Sequence, residues 1–296
     1  MRNTTTTNLK HRQNYRHRFI ILGLAIATAI LVILTHLQAV VAESATIPGL
    51  LHKIAFLSRA NLVAATESSP SSLPIPKTHP LPPILDRWVD NTGAGDYFSE
   101  IKLTPVNYLV WTHFPLKIYV ERPTTPPDTS ASFKRFQNWV NTVLQGVREW
   151  SAYLPLEVVD QSEGADISIW RSLPPLDVSF DPETGKITQL RARSAQTRYE
   201  FYLRPTTDAV SVLAQRFTIQ LSPDQGIDYT LATARHEIGH ALGIWGHSTL
   251  EADTMYLSQV RNPPTISTRD INTLKRIYEQ PTRLGWSLIS KSSSQE

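Results

Sequence analysis

The chain has 296 residues and no cysteine, which excludes a disulfide framework, a thiol nucleophile and any cysteine-held metal. A hydrophobic share of 41% suffices for a core of ordinary size and argues against wholesale disorder. The net charge of +3 belongs to the tail: residues 1–18 hold Arg2, Lys10, Arg12, Arg16 and Arg18 and no acid, while the rest carries 24 basic against 26 acidic groups, so nothing points to nucleic acid.

The basic tail runs into Phe19–Leu34, an uncharged apolar stretch, and then into the small apolar residues Ala39 to Ala42. Positive flank, apolar run and small residues over 1–42 make either a secretory signal cleaved after Ala42 or an uncleaved signal anchor. Either form carries the remainder out of the cytoplasm, with residues 19–42 as the expected membrane contact. Residues 43–85 read as a tether. Within it, 50–64 has the pattern of a short amphipathic helix, and SSPSSLPIPKTHPLPP places six prolines between Pro70 and Pro83, the composition of a semi-rigid extended spacer.

A globular domain is expected over 86–290. LKIYV (116–120) reads as a strand. Phe133, Phe136, Trp139, Val140, Val143, Leu144, Val147 and Trp150 recur at three- and four-residue steps, so a long amphipathic helix starts near 129–132 and stops before Pro155. LEVVD (156–160) and ADISIW (165–170) read as strands, followed by a Pro/Gly-rich excursion in which Asp177, Asp181 and Glu183 could hold calcium, a weak signal without a defined calcium pattern. Residues 197–203 and 216–222 are further strands. Residues 229–242 form a second helix, and Ser267 or Thr268 caps a third whose apolar face is Ile271, Leu274, Ile277 and Tyr278. This order predicts an α+β fold: a twisted mixed sheet with helices packed on it, one helix carrying the site and one closing the chain.

Chemistry concentrates in ATARHEIGHALGIWGHSTLEADTMYL (232–257). In His236-Glu237-x-x-His240 the two histidines, four apart, share one helix face and can meet one metal ion, and imidazole suits zinc. Glu237, one position on, lies beside the open side of such a site as a general base. Gly243 can take a left-handed conformation, end the helix and turn the chain, returning His247 as a third ligand. Of nine histidines, His11, His17, His36, His52 and His79 precede the globular part, and only His113 stands there outside this stretch. Asp253 could offer an oxygen instead, but it stands two residues before Met255.

HEIGHALG, the nearby His-Ser and Met255-Tyr256 resemble the metzincin metalloproteases, most closely the matrixins. The similarity extends over roughly 106–285. It implies a zincin-like fold, one catalytic Zn2+ held by His236, His240 and His247, Glu237 as general base and Met255 in a methionine turn beneath the site; Tyr256 reads either as a residue at the substrate or as a core aromatic. Three residues separate Gly243 from His247 where the family has two, an extra residue that Gly246 can absorb, with Trp245 packing outward or capping the core. Leu257 replaces the proline that often follows Met-Tyr. The family's structural-zinc histidines have no counterpart here, and cysteine-switch latency is excluded. The expected activity is an extracytoplasmic zinc endopeptidase acting on a protein or peptide, bound antiparallel to an edge strand at 197–203 or 216–222. The alternatives are a catalytically inactive extracytoplasmic binding module of the same fold, against which the intact Glu237 argues, and hydrolysis of a non-protein amide.

Overall fold

A computed structural model describes residues 73–124, 129–206 and 210–288. The signal or anchor and the 50–64 helix expected from sequence lie outside the described residues. Among the described residues no helix is long and apolar enough to cross a membrane.

Residues 73–85 do not run free as a spacer. Lys77 exchanges two backbone hydrogen bonds of 3.0 Å with Thr282. His79 stacks on Trp286 and bonds the Leu284 carbonyl through Nε2 at 2.9 Å. Leu85, in helix α1 (Pro83–Arg87), is fully buried. The prolines make the segment extended but leave Lys77 its amide, so the segment pairs with the end of the chain instead of staying in water.

Strand β1 (Leu116–Val120) is followed by helix α2 (Ala131–Trp150), β2 (Leu156–Val159) and β3 (Ile167–Trp170). The Ser130 hydroxyl caps α2 by accepting from the Phe133 amide at 3.1 Å. On its apolar stripe Trp139, Val140, Val143, Val147 and Trp150 are buried, whereas Leu144 and, in the first turns, Phe133 and Phe136 are only half-buried. The excursion after β3 is a hairpin, β4 (Asp177–Phe180) and β5 (Ile187–Arg191). Calcium ligation there is not supported: Asp181 accepts from the Glu183 and Thr184 amides in the turn, and Asp177 pairs with Arg193 at 2.6 Å.

Strands β6 (Ala195–Pro205) and β7 (Ser211–Leu221) follow, then helices α3 (Ile227–Leu242) and α4 (Thr268–Tyr278). The main sheet is ordered β2-β1-β3-β7-β6, parallel except for the antiparallel β6–β7 pair. This mixed sheet with packed helices agrees with the expected α+β class. β7 is interior, so 216–222 is not an edge, and among the described residues β6 alone of the two has a side that no strand pairs with.

Helices α2 and α3 pack closely at Gly146, where an added Cβ would touch the Ala234 Cβ at 3.4 Å. Arg235, 7% exposed, forks onto Glu149, and the Trp150 indole donates to the Arg235 carbonyl at 2.8 Å. These contacts fix the lengthwise position of α3, the helix that carries the histidines. On α4, Ile271, Leu274, Ile277 and Tyr278 are all buried, as the spacing requires.

Candidate metal centre

Helix α3 presents His236 and His240 on one face, with ring centroids 4.7 Å apart. It ends at Gly243, where φ is +126° and an added Cβ would sit 2.5 Å from the Leu109 carbonyl oxygen. Glycine is needed there for both conformation and space. The chain then reverses and brings the His247 ring to 5.3 Å from that of His236 and 4.9 Å from that of His240. One nitrogen from each ring lies within 4.8 Å of the others, an arrangement that could hold a metal ion. Among the described residues no other such group of histidines and acids occurs.

The extra residue before His247 is accommodated by space rather than by an unusual dihedral. Gly246 has no positive φ, but a Cβ on it would lie 2.3 Å from the carbonyl oxygen of Glu100. The loop is clamped under the segment that follows the 3-10 helix Phe98–Glu100, and the Lys102 amide donates to the Trp245 carbonyl at 2.9 Å. Trp245 caps the core, edge-on to Tyr199 of β6 at 5.0 Å and to His240 at 5.6 Å.

Hydrogen bonds orient two of the rings. Nδ1 of His236 faces the Thr254 carbonyl at 2.9 Å, and Nδ1 of His240 faces the Ile244 carbonyl at 2.7 Å. A carbonyl only accepts, so each Nδ1 carries a proton, and Nε2 is the ring nitrogen left to ligate. Burial, with His236 adding to it, holds His240 well below the ordinary imidazole value and brings His247 down to about 4. Both rings are therefore neutral near pH 7, the form that ligates metals. The donor set fits a cation that accepts imidazole nitrogen.

Glu237 is raised above the ordinary carboxylate range by burial, against the pull of His236 and a hydrogen bond from Thr197. The Thr197 hydroxyl, on β6, donates to Oε2 of Glu237 at 2.6 Å. Met255 is fully buried beneath α3, where a Cβ on Gly239 would come within 2.4 Å of its sulfur. Tyr256 and the exposed Leu257 line an open cleft of about 630 Å³ that contains the three histidines and Glu237. The start of β6, Ala195 to Thr197, forms another side of that cleft.

Asp253 and His113 are engaged elsewhere. Asp253 is buried and accepts from Ser248 Oγ at 2.5 Å, Ser267 Oγ at 2.7 Å and Arg269 Nε at 3.0 Å. His113 pairs with Asp166 at 3.0 Å. Sequence reasoning missed Thr197, which lies forty residues before Glu237 with no local motif to mark it. It also missed Asp270, for which Ser267-x-x-Asp270 is a capping-box signal.

Neither any protein-family model nor any curated protein matches the chain.

Proposed function

We propose that the chain is a metzincin-type zinc endopeptidase that works outside the cytoplasm. The observation that carries this reading is Glu237, a partly buried carboxylate one helical step from a convergent histidine triad, in the wall of an open cleft. A site meant only to hold metal has no use for that carboxylate. His236, His240 and His247 would hold the ion through one imidazole nitrogen each. Zinc bound there supplies a Lewis acid that polarises the scissile carbonyl and acidifies water.

The protein's own groups perform the proton transfers. Glu237 would take a proton from the attacking water and deliver it to the departing amine, and a carboxylate raised above its ordinary range by burial suits both halves of that exchange. The free side of β6 offers backbone donors and acceptors to an extended peptide, which would lie antiparallel beside it. Tyr256 stands in the cleft wall where it can contact that peptide. The segment before the described residues would deliver the domain across the membrane.

The test is direct. Purified protein reconstituted with zinc should contain about one ion per chain and cleave casein, and a chelator should stop the cleavage. Glu237→Gln should abolish hydrolysis with zinc content unchanged. Absence of bound zinc, or full turnover by Glu237→Gln, refutes the proposal.

A further inference from the structure

We propose that Thr197 is a positioning residue that sets the rotamer of the Glu237 carboxylate, an inference that rests on the peptidase reading above. Thr197 stands third in β6, directly opposite Ile219 of β7. Ile219 is fully buried and Thr197 is 9% exposed, so this pair faces the packed side of the sheet. The next residue, Arg198, points the other way and bonds Gln220 at 3.0 Å. Strand alternation therefore directs the Thr197 hydroxyl at α3, and there it meets Glu237.

The contact has the form of a charge-assisted bond. At 2.6 Å it falls in the short range for a hydroxyl on a carboxylate. The Thr197 hydroxyl oxygen also lies 3.3 Å from the main-chain carbonyl of Glu237, a secondary contact because its one proton goes to Oε2. A glutamate has three side-chain torsions to fix, whereas threonine, branched at Cβ, is stiff at its first. The rigid partner thus restrains the flexible one. It engages Oε2 and leaves Oε1 as the oxygen not held in this way.

The Thr197 main chain adds a smaller contribution of its own to the Glu237 carboxylate, whereas the neighbouring side chains Arg193 and Ser194 have other partners. Arg193 contributes charge to Glu237 but is paired with Asp177 at 2.6 Å. Ser194 Oγ receives Gln259 at 3.3 Å. Because β6 also has the free edge proposed to receive the peptide, Thr197 connects that edge to the base. A peptide seated on β6 and the carboxylate serving it are thereby held by one strand.

The experiment compares Thr197→Val, which keeps the shape and removes the hydroxyl, with Thr197→Ser, which restores it; Thr197→Ala replaces the valine variant if that one fails to fold. In the zinc-loaded full chain, loss of the hydroxyl should lower kcat roughly 10–100-fold. KM and zinc content should stay within about twofold of wild type, and Thr197→Ser should recover most of the rate. A crystal structure of the metal-free hydroxyl-less variant should show the Glu237 carboxylate moved from its wild-type position. Unchanged kcat, or a serine variant as slow as the valine one, overturns the proposal. If wild type cleaves no peptide, the peptidase reading fails separately, and the crystal structure decides: an unmoved carboxylate overturns the role of Thr197, a displaced one supports it.

Discussion

Gly246→Ala tests whether the loop carrying His247 is fixed by the segment above it. The new Cβ would lie 2.3 Å from the Glu100 carbonyl oxygen, 3.0 Å from its carbon and 3.1 Å from the Ile101 Cα. All three are main-chain atoms, so no side-chain rotation relieves the clash. Carbon and oxygen need roughly 1 Å more than this, and either the Glu100–Ile101 segment or the His247 loop must move. Forced repacking of this kind costs about 1–3 kcal/mol. For a domain of this size that is a fall in Tm of roughly 3–10 °C. Displacing His247 also loosens the triad, so zinc affinity should fall more than tenfold in competition with a chromophoric chelator. Thermal denaturation of metal-free and zinc-loaded protein separates the two effects. A metal-free Gly246→Ala protein that melts within about 1 °C of wild type would refute the clamp.

Two further outcomes follow from the site. His247→Ala should weaken zinc binding by orders of magnitude, whereas His113→Ala, which breaks the pair with Asp166 and the edge contact with Trp111, should leave zinc content unchanged by elemental analysis; the reverse pattern would remove His247 from the ligand set. In the metal-free protein, imidazole NMR should find His247 titrating near pH 4 instead of 6.5. The folded ring is depressed, so between those values the unfolded chain binds more protons, and the stability this ring contributes is lost as pH falls from about 6.5 toward about 4. A His247 ring that titrates at 6.5 would contradict the burial on which this rests.

Sequence was most informative where contacts are local. The step pattern from Trp139 to Trp150 encodes one buried face, and i,i+4 spacing encodes the shared face of His236 and His240. It was misleading at 73–85, where proline-rich composition describes an extended chain equally well in solvent and against Thr282, Leu284 and Trp286. The partners that decide the matter lie some two hundred residues away. The same holds for Gly246: a glycine in a loop suggests an unusual dihedral, while the structure needs it because a distant backbone passes overhead. Thr197 is an extreme case, since in sequence it is merely a good strand residue.

The triad sits on one helix and one loop, but its geometry depends on α4. Asp270, fully buried, accepts from the Tyr97 hydroxyl at 2.6 Å, the Thr254 amide at 2.9 Å and the Ser267 amide at 2.8 Å, with the Met255 amide at 3.4 Å. It thereby joins the segment before β1, the cap of α4 and the turn that holds Met255. That turn supplies the Thr254 carbonyl to which His236 donates, so the carboxylate is two hydrogen bonds removed from the His236 ring. Asp253 performs the parallel task for the other loop, linking Ser248, next to His247, to Ser267 and Arg269. Burial, and the charge of Asp253 with it, push Asp270 upward, a cost opposed by its hydrogen bonds to Tyr97, Ser267 and Thr254. Two buried acids beside a cluster of histidines would ordinarily be read as further ligands. Here their oxygens are occupied by amides, hydroxyls and Arg269, so they tie the loops together while the imidazoles remain a group that could hold a metal ion.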